Sequence, residues 1–410
     1  MKNLAALAVV VFRKVSRFVM AQLADRSRAQ LPRSQSFLLY FLLAVVFAFA
    51  AGLASFGWRH SALFLVGTLF GLTLYHASFG FASSYRRLVV HGDGQGVLAQ
   101  VLMLALATVL FAPILIGGVG RGAVAPVAVQ GAIGALLFGV GMQLGSGCAC
   151  GTLYTIGGGS SMMLFTLLTF GTGSFLGTLT NGFWQGLPKV EAVSLIGLWG
   201  WGGVALQLGL LGLLGLWLWR WQSQSSGATL GLSPWPSWRS LLYGPWSLVV
   251  GGIALALLNT LTLLLAGRPW GVTWGFTLWS AKLATGLGWD PATSEFWSQS
   301  HIAAVLQANV FADVTSVMNF GIVLGAALGA AIAGKLTMRQ PPSRRALLAA
   351  LIGGLLMGYG AWLAFGCNVG AYFSGIASTS LHGWLWIAFA LVGTTLGVRL
   401  RPLFQLSNSP

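Results

Sequence analysis

The sequence predicts an all-α polytopic membrane protein made of two inverted repeats, with interrupted or re-entrant helices meeting near the bilayer midplane. Three observations lead there. Of 410 residues, 56% are hydrophobic and 7% charged, with a mean hydropathy of +0.81, whereas soluble chains carry about 25% charged residues. Apolar runs of about 20 residues recur along the chain, the length a helix needs to cross the hydrocarbon core. A glycine–cysteine stretch in the first half returns near the C-terminus.

Composition excludes several functions. The net charge of +16 has the sign of a nucleic-acid binder, but no basic cluster lies on a soluble region large enough to present it. The positive-inside bias of cytoplasmic loops accounts for it more simply. Three cysteines, an odd number inside apolar segments, make no disulfide framework. Walker, dinucleotide and zincin motifs are absent, as are haem and iron–sulfur signatures. No cofactor is expected, and no ATP coupling within this chain.

Residues 1–35 form a basic N-terminal segment carrying Lys2, Arg13, Lys14, Arg17, Arg26, Arg28 and Arg33. Leu4, Leu7, Val11, Val15 and Phe18 share a helical face, which predicts an interfacial helix on membrane lipid. Its charge places this end in the cytoplasm. The first repeat, 36–219, contains apolar segments at 36–57, 61–83, 97–117, 126–144, 161–181 and 192–219. A polar linker at 220–244, with Gln222, Ser223, Gln224, Pro234 and Pro236, precedes the second repeat at 245–404. There the segments are 245–266, 271–288, 314–334, 346–365 and 376–398.

Two echoes argue for duplication. At a shift of 219, Gly141 falls on Gly360, Gly147 on Gly366, Cys148 on Cys367 and Gly151 on Gly370. At a shift of 204, Gly71-Leu72-Thr73-Leu74-Tyr75 falls on Gly275-Phe276-Thr277-Leu278-Trp279. Basic residues then suggest inversion. The loop after the second segment has Arg86 and Arg87 and the next has Arg121 alone. In the second half the 289–313 connection has Asp290, Glu295 and Asp313 without Lys or Arg, and the next carries Lys335, Arg339, Arg344 and Arg345. Positive-inside logic flips one half relative to the other, as in many transporters with a midplane site. A parallel repeat is the alternative.

Glycine on both sides of a thiol permits close backbone approach, so Gly147, Cys148, Gly151 and Gly366, Cys367, Gly370 read as two halves of one site. Cys150, opposite Val369, has no counterpart thiol. Buried cysteine also serves as a small hydrophobe, but both frames place it where alanine would pack equally. Cys148, Cys150 and Cys367 do not supply the four ligands of structural zinc, and His76 is the one histidine expected within the membrane near them. Lys282 lies inside an apolar segment, either as an anion attractor or snorkelling to the interface. Asn319 and Gln143 are further polar candidates, or helix–helix contacts.

At these residues the chain resembles a family. The run from Gln143 through Gly145-Ser146-Gly147-Cys148-Ala149-Cys150-Gly151-Thr152 to Ser160 is similar to the first signature of the YeeE/YedE sulfur-compound transporters. Gly366-Cys367-Asn368-Val369-Gly370 through Ser378, continuing into Leu381-His382-Gly383-Trp384, is similar to the second. Asp313 to Gly321 also has the look of the family, and the likeness extends from about residue 36 to 404. The resemblance implies uptake of thiosulfate or a related anion across the bacterial inner membrane, through an hourglass-shaped helical fold. It also implies a small TusA-like sulfur-carrier protein as cytoplasmic partner. Two departures stand out: Gly80 occupies the place of a third family cysteine, and Cys150 that of a common serine. The alternative function is a membrane sulfurtransferase passing sulfur through a cysteine persulfide, which needs an activated thiolate. No base stands beside either motif.

Overall fold

The computed structural model describes residues 33–226, 237–337 and 342–408. Residues 1–32 of the basic N-terminal segment and the linker prolines Pro234 and Pro236 lie outside the described residues. Within them the chain is helical apart from a two-stranded ribbon, β1 (Val127–Ala128) antiparallel to β2 (Lys189–Val190).

Each apolar segment becomes a helix. The first half holds α1 (Arg33–Leu53), α2 (Trp58–Ala77), α3 (Phe81–His91), α4 (Gln95–Ile116), α5 (Val129–Leu144), α6 (Ala149–Gly157), α7 (Met162–Leu179) and α8 (Trp201–Ser226). The second holds α9 (Leu248–Ala266), α10 (Thr273–Gly286), α11 (Ser300–Gln307), α12 (Val314–Ile332) and α13 (Arg344–Leu363). A π turn (Asn368–Phe373) then runs into α14 (Ser374–Ala377), and α15 (Leu381–Leu400) follows. Among the described residues, ten helical stretches are long and apolar enough to cross a membrane. The chain is therefore an all-α, multi-pass membrane protein. At 14 residues, α10 spans about 21 Å and falls short of a full crossing.

Local chemistry sets the boundaries. Ser247, Ser343 and Asp313 accept hydrogen bonds from backbone N–H groups three residues on, capping α9, α13 and α12. Left-handed Ser78 ends α2, and extended Gly80 starts α3. The chain breaks again at Gly145–Cys148 and at Ala364–Cys367, between a long helix and a short one.

Helices pack through glycine because lipid supplies no hydrophobic force to drive them together, so close backbone contact must. Helices α5 and α13 cross antiparallel. A Cβ on Gly134 would lie 2.6 Å from the Gly360 carbonyl oxygen, and one on Gly141 would lie 2.6 Å from that of Gly353. Helices α7 and α13 run parallel, Gly173 meeting Leu355 and Gly177 meeting Trp362. Helices α5 and α15 also run parallel, Gly393 meeting Leu136 and Gly397 meeting Gln143. On the far side α2 lies along α12, with Gly67 against Met318 and Gly71 against Ile322.

Candidate functional site

The two glycine–cysteine frames fold alike. Cys148 stands immediately before α6 and Cys367 immediately before the π turn, both extended, at φ −92°, ψ −175° and φ −108°, ψ −166°. Neither thiol caps its helix, so the first-turn N–H groups keep their partial positive charge beside the sulfurs. Two residues before each thiol, Ser146 and Phe365 both adopt left-handed backbone at φ 57°. That conformation costs a non-glycine residue about 1–2 kcal/mol. Strain repeated at matched places marks a geometry the fold enforces. Gly366 sits at φ 143°, where a Cβ would lie 2.8 Å from the Ala371 nitrogen, so only glycine fits.

The thiols gather in one buried cluster. Cys148 Sγ and Cys150 Sγ lie 3.4 Å apart, and all three cysteines are free. Their exposures are 2%, 1% and 1% for Cys148, Cys150 and Cys367, so solvent does not touch them. Cys367 is within electrostatic reach of Cys148 and Cys150. Of the other frame residues, Gly151 would put a Cβ 3.3 Å from Cys148 Sγ, Gly147 makes ordinary contacts, and Gly370 faces open space. Aromatic rings wall the cluster. Tyr372 lies 6.4 Å from Tyr85 of α3 and stacks on Trp386 at 6.2 Å between ring centroids. The indole of Trp386 in turn donates to the Gly366 carbonyl at 3.1 Å.

Two polar groups in this cluster lack protein partners. Asn368 is fully buried, yet neither its amide nitrogen nor its oxygen has a hydrogen-bond partner. The hydroxyl of buried Tyr85, which faces Asn368 and Tyr372, likewise makes no hydrogen bond of normal geometry. Burying a polar group unpaired costs about 1–3 kcal/mol by mutational measures, so these atoms are poised for a ligand. Sequence reasoning quoted Asn368 within a motif without assigning it a role. Its signal was available: an amide immediately after Cys367, where the first frame has Ala149.

Two cavities with no lining residue in common border the two frames. One, of about 410 Å³, reaches Gly366, Gly370 and His382 and is also bordered by Gln130, Thr277 and Trp274. The other, of about 880 Å³, reaches Ser146 and Met163 and is bordered by His76, Tyr154 and Lys335. Buried His382, bonded to Ser380 at 2.7 Å, therefore joins His76 as a histidine within the apolar segments. Among the described residues, no three of His, Cys, Asp and Glu gather as a metal-binding set.

Other sequence candidates lie elsewhere. Lys282 donates to the Leu306 and Ala308 carbonyls, holding the end of α11, and borders neither cavity. Asn319 donates to the Val272 carbonyl at 2.9 Å and packs on Gly275, tying α12 to the start of α10. Gly80 begins α3, where a Cβ would meet the Ser83 hydroxyl and lie 3.6 Å from the Tyr154 hydroxyl.

The family model for sulphur transport matches residues 76–396, which include both thiol frames and the helices that hold them. The chain belongs to this family. It is 29% identical over 347 residues to the thiosulfate transporter TsuA of Spirochaeta thermophila, covering 80% of this chain and 95% of that one. With TsuA of Escherichia coli it shares 25% identity over 348 residues, 80% and 91% of the two chains. The probable transporter YedE of Escherichia coli is 32% identical over 163 residues, 39% of this chain and 40% of that one. The family and these relatives are named for transport and not for catalysis, and this chain is a multi-pass membrane protein of that family.

Proposed function

We propose that this protein takes up thiosulfate or a related sulfur-containing anion across the bacterial inner membrane, along a path through Cys148, Cys150 and Cys367. The observation that carries the reading is that one cavity borders the second frame at Gly366 and Gly370 and another borders the first at Ser146, while the thiols themselves are buried. A neutral S–H is a weak donor. A short series of them offers shallow sites that a divalent anion enters and leaves, as conduction requires. Uncapped helix starts at Cys148 and Cys367 add positive potential without a fixed charge. Asn368 and Tyr85 add donors beside the thiols.

The halves 36–219 and 245–404 are proposed to be inverted repeats. Support comes from contacts that exchange under the sequence shift. The shift of 219 turns the pair Gly134–Gly360 into Gly353–Gly141, and both pairs touch. With a one-residue gap, which makes the shift 220 beyond the frames, Gly173 on Leu355 becomes Gly393 on Leu136. Packing also matches α2 on α12 with α9 on α4, and α3 on α15 with α10 on α7. The echo of Gly71 in Gly275 therefore joins places that are not equivalent, one inside α2 and one in α10.

On this reading Arg86, Arg87, Lys335, Arg344 and Arg345 face the cytoplasm, together with the cavity bordered by Lys335. A TusA-like carrier would collect the anion there, and membrane lipid surrounds the apolar faces. The experiment is uptake of labelled thiosulfate in a strain lacking other routes, with sulfate, sulfite and tetrathionate as competitors. Unlabelled thiosulfate should compete best. Uptake no greater than in cells without the protein would overturn the reading.

A further inference from the structure

Two arginines from elsewhere in the chain, and no acid, reach the turn that leads into Cys148. Arg86 of α3 donates Nη1 to Gln143 Oε1 at 3.5 Å. Arg401, just beyond α15, donates Nη1 to the Gln143 carbonyl and, at 3.5 Å, to Ser146 Oγ. Its Nη2 donates to the Ser407 carbonyl at 2.6 Å. The two guanidinium groups are within electrostatic reach of each other. Among the described residues the one ion pair is Arg87 with Asp93, so neither arginine has a carboxylate partner. Arg401 is 4% exposed, and the Nε of each arginine is buried without an acceptor.

Buried charges are normally paired, because taking an ion out of water costs several kcal/mol. Two like charges held together, both with spare donors, raise that cost unless an anion completes the group. Guanidinium donors match tetrahedral oxyanions in geometry as well as charge. Ser146, whose hydroxyl touches Arg401, borders the larger cavity, so the group stands beside the path and not on a remote surface.

Among the described residues, the matching places beside the other frame carry no such group. The shift of 220 that lays Gly177 on Gly397 lays Asn181 on Arg401, and the shift of 219 lays Trp362 on Gln143. Asn181 borders the smaller cavity and carries no charge. A path whose two frames are otherwise alike thus has fixed cationic donors at one end.

We propose that Arg86 and Arg401, with Ser146 Oγ, form a binding site for a doubly charged tetrahedral sulfur oxyanion at the rim of the larger cavity. On the transport reading, on which this role rests, the site holds the anion after it has passed the thiols. It raises the occupancy of the anion at that end of the path.

The test uses the full chain in nanodiscs of phosphatidylcholine, with radiolabelled sulfate and thiosulfate as probes of equilibrium binding. A Cys148→Ala, Cys367→Ala variant should keep saturable binding of both anions, which separates this site from the thiols. Adding Arg86→Gln should weaken that binding about tenfold or more, from the value of a charged hydrogen bond. Arg86 is partly exposed and makes one long bond, so its loss leaves the fold intact. Arg401→Lys, keeping charge but not the fork, should weaken binding as well. Unchanged affinity in both arginine variants overturns the proposal. So does loss of sulfate binding on adding phosphatidylglycerol, if Arg86→Gln abolishes that competition, because a lipid headgroup would then be the occupant. Arginine-dependent binding by a protein that moves no thiosulfate would uphold the site and sink the transport reading. Normal uptake with arginine-independent binding would do the reverse.

Discussion

Gly134 and Gly360 face each other across the crossing of α5 and α13, with backbone against backbone and no room for a side chain on either. Gly141 and Gly353 repeat the contact with the partners exchanged. These helices lead directly into the two thiol frames, so the crossing sets the distance between the frames. Replacing Gly360 with Ala should destabilise the protein by about 1–3 kcal/mol through overpacking and reduce uptake along with it. Gly209→Ala is the control, since nothing lies within 4 Å of a Cβ there. Thermal unfolding of the purified variants checks the pair, and equal melting temperatures would show that the close crossing is not needed.

The antiparallel crossing also predicts topology. Single cysteines at Gly92 and Ser343, in a background without the native thiols, should resist a membrane-impermeant maleimide applied to intact spheroplasts. One at exposed Ser298 should react. Equal labelling of Gly92 and Ser298 would sink the inverted arrangement.

Asn368 is expected to serve the anion and not the fold. Its amide atoms make no hydrogen bond within the protein, so Asn368→Ala should leave the melting temperature within a few degrees or raise it. Affinity for thiosulfate should fall about tenfold, the worth of a hydrogen bond to a charged group. A large loss of stability with unaltered KM would make Asn368 a packing residue.

Lys282 is expected to act through structure. Its ammonium holds two carbonyls at the end of α11, so Lys282→Met should lower stability by about 1.5–3 kcal/mol without raising KM for thiosulfate. A raised KM with unchanged melting temperature would restore the anion-attractor role.

Most of this fold could be read from the sequence because membrane crossing imposes a length and a composition that each segment displays. Every apolar segment became a helix. The paired frames were legible too, since Cys148 and Cys367 are spaced identically among their glycines. What escaped reading depends on tertiary approach. Nothing around Lys282 in the sequence points to Leu306, and nothing around Arg401 points to Gln143, 258 positions away. The echo of Gly71 in Gly275 does not by itself mark equivalent places, because glycine followed by apolar residues serves any close helix contact.

The central claim is that the anion passes intact along the thiols, and one measurement tests it most directly. Purified parent protein, Cys148→Ala, Cys367→Ala and Cys150→Ser are reconstituted in liposomes at equal abundance, and thiosulfate labelled on both sulfur atoms is added outside. The account predicts that the parent delivers both labels to the lumen in a one-to-one ratio. Cys148→Ala and Cys367→Ala should each deliver almost none, while Cys150→Ser, which has no matching thiol in the second half, keeps substantial uptake. Full activity in Cys148→Ala or Cys367→Ala, or entry of one sulfur atom with the other left outside, would contradict it.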